Sequence, residues 1–177
     1  MKPNSIVKTA RISALFALLF FAQSSLAVPI LFEATIDGAQ ANAGAGTGSA
    51  GTGSAVMTFE DSTNVFSWDI QWENLTGPAL AGHFHGPAAP DANAGIEVDF
   101  GGISGLASPS IGNTVIDATQ AADLLAGLWY INIHTGQFLG GEIRGQVVRS
   151  DTPVPLPSSF ALLLLAVAGF AARRAGK

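Results

Sequence analysis

The chain carries three histidines, and two of them, His83 and His85, stand one residue apart in Ala81-Gly82-His83-Phe84-His85-Gly86-Pro87. The third, His134, ends the run Trp129-Tyr130-Ile131-Asn132-Ile133-His134. Imidazole suits zinc and copper, and a His-x-His pair joined by a histidine from another strand is a workable three-ligand set. The candidate metal ligands are therefore His83, His85 and His134, with Glu142 as a fourth and Glu97 or Asp99 as alternatives. The same histidines also fit a scaffold role, bonding to loop backbone around the Gly86-Pro87 turn. Which role holds depends on whether the three rings meet.

Strand parity says that they can. In an extended strand successive side chains face opposite ways, so His83 and His85 share a face while Phe84 points to the core. Trp129, Ile131 and Ile133 likewise line one face, which leaves Tyr130, Asn132 and His134 on the other, more polar one.

The remaining elements follow from the same period of two. Residues 30–37 read as a first strand. Phe66, Trp68, Ile70 and Trp72 alternate with Ser67, Asp69, Gln71 and Glu73, the clearest strand in the chain. Residues 56–59, 96–100, 111–116 and 142–148 read as further strands, the last with Ile143 and Val147 inward. Residues 38–55 contain only Gly, Ala, Ser, Thr, Asn and Gln apart from their flanks, and read as a flexible loop. Residues 101–109 read as a loop or weak edge strand. One short helix is expected over 119–126, capped by Thr119, with Ala122, Leu124 and Leu125 on its apolar side. Short strands with glycine-rich connections and a single small helix predict an all-β antiparallel sandwich or barrel.

Composition narrows the function. Residues 28–152 hold Arg144 and Arg149 against all thirteen acidic residues, a formal charge of −11. Such a surface repels nucleic acid and anionic lipid, so neither is an expected partner of the domain. With no cysteine there is no disulfide framework and no thiol nucleophile, and stability must come from an apolar core. Gly46, Gly48 and Gly51 match a dinucleotide-binding glycine pattern, but Val56 to Phe59 continue as strand where that mechanism needs a helix. Asp91, Asn93 and Glu97 place oxygens at alternate positions as calcium loops do, yet without the rest of an EF-hand; a polar turn is the better reading. No serine sits in a nucleophile elbow, and Glu97 with Asp99 reads as a solvated face. The domain is expected to have a binding or structural role and not to be an enzyme, the alternative being redox or hydrolytic activity at a zinc or copper held by the histidines.

Both ends are apolar. Lys2, Lys8 and Arg11 precede the run 12–22, and Ser25-Leu26-Ala27 supplies the small residues a signal peptidase reads, so residues 1–27 are read as a signal peptide cleaved after Ala27. At the other end, residues 153–177 contain an apolar run, 160–172, long enough at 1.5 Å per residue for a short membrane helix with its basic end cytoplasmic.

The motifs carry two resemblances. His83-Phe84-His85-Gly86-Pro87-Ala88, then residues 128–135, then Gly140-Gly141-Glu142-Ile143-Arg144-Gly145-Gln146-Val147 resemble the CHRD domain, a module first named in chordin and widespread in bacterial secreted proteins. The likeness runs from about Ile30 to Val148 and implies an immunoglobulin-like or Greek-key sandwich over residues 28–152. The family's usual Gly-Ala-Gln-Glu and proline pair is replaced here by Gly38-Ala39-Gln40-Ala41-Asn42-Ala43. The His-x-His strand is also similar to that of copper/zinc superoxide dismutase, but no further histidine is present to bridge a second metal, so dismutase activity is not expected. Val154-Pro155-Leu156-Pro157, the apolar run and Arg173-Arg174 resemble a PEP-CTERM sorting signal, with Leu156 in place of the usual glutamate. That resemblance implies an exosortase-like processing enzyme as partner. It also implies export, anchoring by a C-terminal helix with the domain in the periplasm, and delivery to the cell surface or matrix. There, extracellular polysaccharide or a surface protein is the expected partner.

Overall fold

A computed structural model describes residues 29–150. The stretches read above as a signal peptide cleaved after Ala27, as a sorting motif and as terminal hydrophobic helices lie outside the described residues. Nine strands pair throughout in antiparallel fashion: β1 (Ile30–Asp37), β2 (Thr52–Glu60), β3 (Val65–Glu73), β4 (Ala79–His85), β5 (Ile96–Val98), β6 (Ser110–Val115), β7 (Tyr130–Thr135), β8 (Ile143–Gln146) and β9 (Val148–Arg149). Their order across the sheet is β5-β4-β7-β8-β1-β2-β3-β6, with β9 beside β1.

The two halves of this sheet are joined weakly. β8 meets β1 at one residue pair, Asp37 with Arg144, and β9 adds two more. At that seam the sheet folds over, so β5-β4-β7-β8 lies against β1-β2-β3-β6 as a half-barrel sandwich. Aromatic rings prove the closure: Phe66 of β3 lies 5.0 Å from Phe84 of β4 and 5.4 Å from Trp129, both edge-on. Edge-to-face packing adds to the burial of these large rings. Around them Phe32, Ile36, Ile70, Ile131, Ile133, Ile143 and Val147 are buried, the inward residues of β1, β3, β7 and β8 and of the link between β8 and β9. The all-β antiparallel class expected from the alternation is the one observed.

Departures from the sequence reading have local causes. The expected helix is present as α2 (Ala118–Leu125), but Asp117 caps it, accepting from the Thr119 and Gln120 backbone while Gln120 returns a bond to the Asp117 backbone N–H. That start turns Ala121 and Leu124 inward, three residues apart on one face, and leaves Ala122 and Leu125 outside. A further single-turn helix, α1 (Phe100–Ser104), occupies part of the stretch read as loop. The Asp99 side chain accepts the Gly102 N–H, ending β5 at Val98 and swinging Phe100 into the core. The Phe100 ring fills the space above Gly82, where any Cβ would overlap it.

Residues 38–51 are more ordered than their composition suggests. Ala41 is fully buried, the Thr47 N–H donates to Gly38 carbonyl, and Thr47 and Ser49 hydroxyls both donate to Glu142. The loop is held by turns of its own and, through Thr47 and Ser49, by the backbone carbonyl and the carboxylate of Glu142, distant in sequence.

Candidate metal centre

β4 and β7 are neighbours, with His85 opposite Tyr130, His83 opposite Asn132, and Ala81 opposite His134. This register places all three histidines on one face of adjacent strands. One ring nitrogen from each of His83, His85 and His134 lies within 4.8 Å of the others. The closest pair, His83 Nδ1 and His134 Nε2, are 3.3 Å apart. Two imidazoles bound to one tetrahedral ion at about 2.0–2.1 Å would hold their nitrogens about 3.3–3.4 Å apart, so this pair already has a ligand-pair spacing.

The outer nitrogens are fixed. His134 Nδ1 is 2.9 Å from Leu139 carbonyl, and His85 Nδ1 is 3.1 Å from the carbonyls of Ala94 and Gly95. A carbonyl only accepts, so each Nδ1 carries the proton and each Nε2 a lone pair. Backbone carbonyls on the far nitrogen are the usual outer partners of metal-bound imidazole. His85 Nε2 is buried, in a residue 9 % exposed, and has no hydrogen-bond partner. A buried lone pair without a donor is costly unless something else fills the place.

His83 completes the set. Since His134 Nε2 is an acceptor, His83 Nδ1–H donates to it; a cation between the rings would displace that proton and leave His83 protonated at Nε2, which faces Asp99 Oδ1 at 3.9 Å. Burial, then the neighbouring His134, hold the His83 pKa below its ordinary value, with Asp99 opposing; burial above all does the same for His85. Neutral rings are the form that binds metal.

The structure does not bring Glu142 to this cluster. Its carboxylate is fully covered and accepts from Ser49 Oγ at 2.6 Å, Thr76 N–H at 2.8 Å, Thr76 Oγ1 at 2.7 Å and Thr135 Oγ1 at 2.6 Å. Thr135 follows His134 in β7 and so points to the opposite face. Glu142 is a structural pin, not a fourth ligand. Glu97 Oε2 accepts from Gln120, and Asp99 caps α1 while flanking His83. The oxygens of the 91–97 turn serve a cation that the chain supplies itself: the Arg144 guanidinium takes Ala92 carbonyl at 2.8 Å and Asn93 Oδ1 at 3.3 Å.

The face shared with the histidines is less open than alternation suggested. Tyr130, Asn132 and Arg144 are all buried on it. The cover is the 86–95 loop, held by Arg144, by Gln146 Nε2 on Ala88 carbonyl, and by the Tyr130 hydroxyl, which accepts the Ala94 N–H. Sequence reading missed Tyr130 and Arg144 as parts of the site. The available signal was Arg144 itself, one of two basic residues in the domain and set between strand residues that face the core.

An antiparallel β-sandwich with three histidines gathered on the outer face of two neighbouring strands defines the class of this molecule. The CHRD domain family model matches residues 32–147, well over half of the chain, and the protein belongs to that family. No curated protein and no solved structure matches it.

Proposed function

We propose that this CHRD module is an exported, surface-anchored metal-binding protein of the cell envelope or extracellular matrix, with His83, His85 and His134 as ligands. The observation that carries the reading is His85 Nε2: a buried lone pair with no donor, beside a histidine pair already at ligand spacing. Three neutral imidazoles suit zinc or copper, and copper binds the tighter of the two at such a site. Three protein ligands leave a further position open, so an outside group, from surface polysaccharide or a surface protein, can complete the shell.

The role is binding rather than catalysis. Among the described residues Asp99 is the one carboxylate paired with these rings, and it is engaged as the cap of α1. Export and anchoring rest on the terminal motifs; among the described residues no helix is long and apolar enough to cross a membrane. The test is metal analysis of the full-length protein prepared without a polyhistidine tag, beside His85→Ala. One zinc or copper per chain, lost in the variant, supports the reading; a metal content equal in both contradicts it.

A further inference from the structure

We infer that Arg144 and Tyr130 are positioning residues for His85, acting as a clamp that fixes its tautomer and aim; the inference rests on the metal-binding reading above. The Tyr130 ring stacks on His85, centroids 5.0 Å apart and planes 8° from parallel. The Arg144 guanidinium carbon lies 3.5 Å from the centre of the same ring. β7 lies between β4 and β8, so imidazole and guanidinium approach the tyrosine from opposite sides, and the three groups form one stack.

The stack and the 86–95 loop hold each other. Arg144 donates to the carbonyls of Ala89 and Ala92 and to Asn93 Oδ1, closing the loop around its own head group. The Tyr130 hydroxyl receives the next N–H, that of Ala94. The loop then presents the Ala94 and Gly95 carbonyls to His85 Nδ1, which keeps the lone pair on Nε2. His85 is thus fixed by stacking through its face and by the loop through its edge.

Stability alone does not account for this arginine. It is 2 % exposed, it bonds to neutral oxygens and a π face, and the Asp91 carboxylate attracts it only from beyond salt-bridge distance. A buried cation with no carboxylate bonded to it is a costly way to close a loop. What it provides is geometry, because the planar fork reaches two carbonyls and stacks on a ring at once, which lysine cannot do.

The experiment uses full-length ¹⁵N-labelled protein, as wild type, Arg144→Met and Tyr130→Phe. Ring-nitrogen shifts report the His85 tautomer without metal, and competition titration reports zinc and copper affinity. The inference expects the variants to lose the single Nδ1–H form of His85 and to bind metal about 10–100-fold more weakly. A folded Arg144→Met protein with the native tautomer and an affinity within about twofold of wild type overturns it. If Arg144→Met does not fold, Tyr130→Phe, which keeps the stack and removes the Ala94 bond, decides by the same two readings. A wild type that binds no metal refutes the proposed function, while the tautomer still decides whether the clamp exists.

Discussion

Replacing Glu142 with glutamine should be among the most damaging single-atom changes in the domain. The carboxylate is fully covered and accepts four hydrogen bonds, joining the 38–51 loop, Thr76 after β3, and the end of β7. A hydrogen bond to a charged group contributes about 1.5–3 kcal/mol, and a buried donor left unpartnered costs about 1–3 kcal/mol. Glutamine keeps one accepting oxygen but turns an NH₂ toward two hydroxyl donors; these can rotate, so the expected loss is about 2–4 kcal/mol rather than the sum of the bonds. That is a large part of a domain stability of about 5–15 kcal/mol. A pH signature accompanies it. Burial raises the Glu142 pKa, but the bonds from Ser49, Thr135 and Thr76 outweigh this and hold it below its ordinary value of 4.5. The stabilisation is therefore fully present above pH 4.5 and is lost as pH falls through the lower, folded value. Urea unfolding followed by tryptophan fluorescence between pH 7 and 3 measures both effects. A Glu142→Gln protein within about 1 kcal/mol of wild type at pH 7, with a parallel pH profile, would refute the pin.

Three further outcomes follow from single contacts. Gly82→Ala sets a methyl group against the Phe100 ring and should cost about 1–3 kcal/mol in urea melts, whereas Gly77→Ala, in open space, should change little. Asp117→Ala removes both bonds at the start of α2 and should cost about 1 kcal/mol; an unchanged midpoint would show that packing of Leu124 alone holds the helix. His83 and His85 titrate below 6.5 in the folded protein, so the unfolded chain binds protons first as pH falls. Metal-free stability should be full above pH 6.5 and decline below it, and a His83→Gln/His85→Gln protein should show a flatter curve; identical slopes would contradict the neutral, buried cluster.

What was legible in the sequence was whatever depended on strand parity. β1, β3 and the core faces of β4 and β7 follow from the sequence because each sets its core-facing residues at every second position, and the same parity puts the three histidines on one side of their strands. Side chains held by distant partners were not legible. Glu142 counts as a candidate ligand from the sequence, but in the structure the strand begins only at Ile143 and the Glu142 carboxylate turns to Ser49, Thr76 and Thr135. At Gly141 the backbone takes a φ of 114°, a conformation that suits glycine and carries the chain past Asn132. α1 was missed because Gly101 and Gly102 are poor helix formers, and its single turn depends on the Asp99 cap and the Phe100 anchor. The clamp on His85 comes from residues more than forty positions away in sequence, beyond the reach of any local pattern.

The central claim is that His83, His85 and His134 bind one metal ion. Its most direct test is isothermal titration of metal-stripped, untagged full-length protein with zinc and with copper, with thermal melting at each ratio. The account predicts one ion per chain, tighter for copper, and a melting temperature that rises with metal for wild type but not for His85→Ala. Heats at the level of dilution, with melting unmoved by either metal, would contradict it and leave the three imidazoles as polar residues of the scaffold.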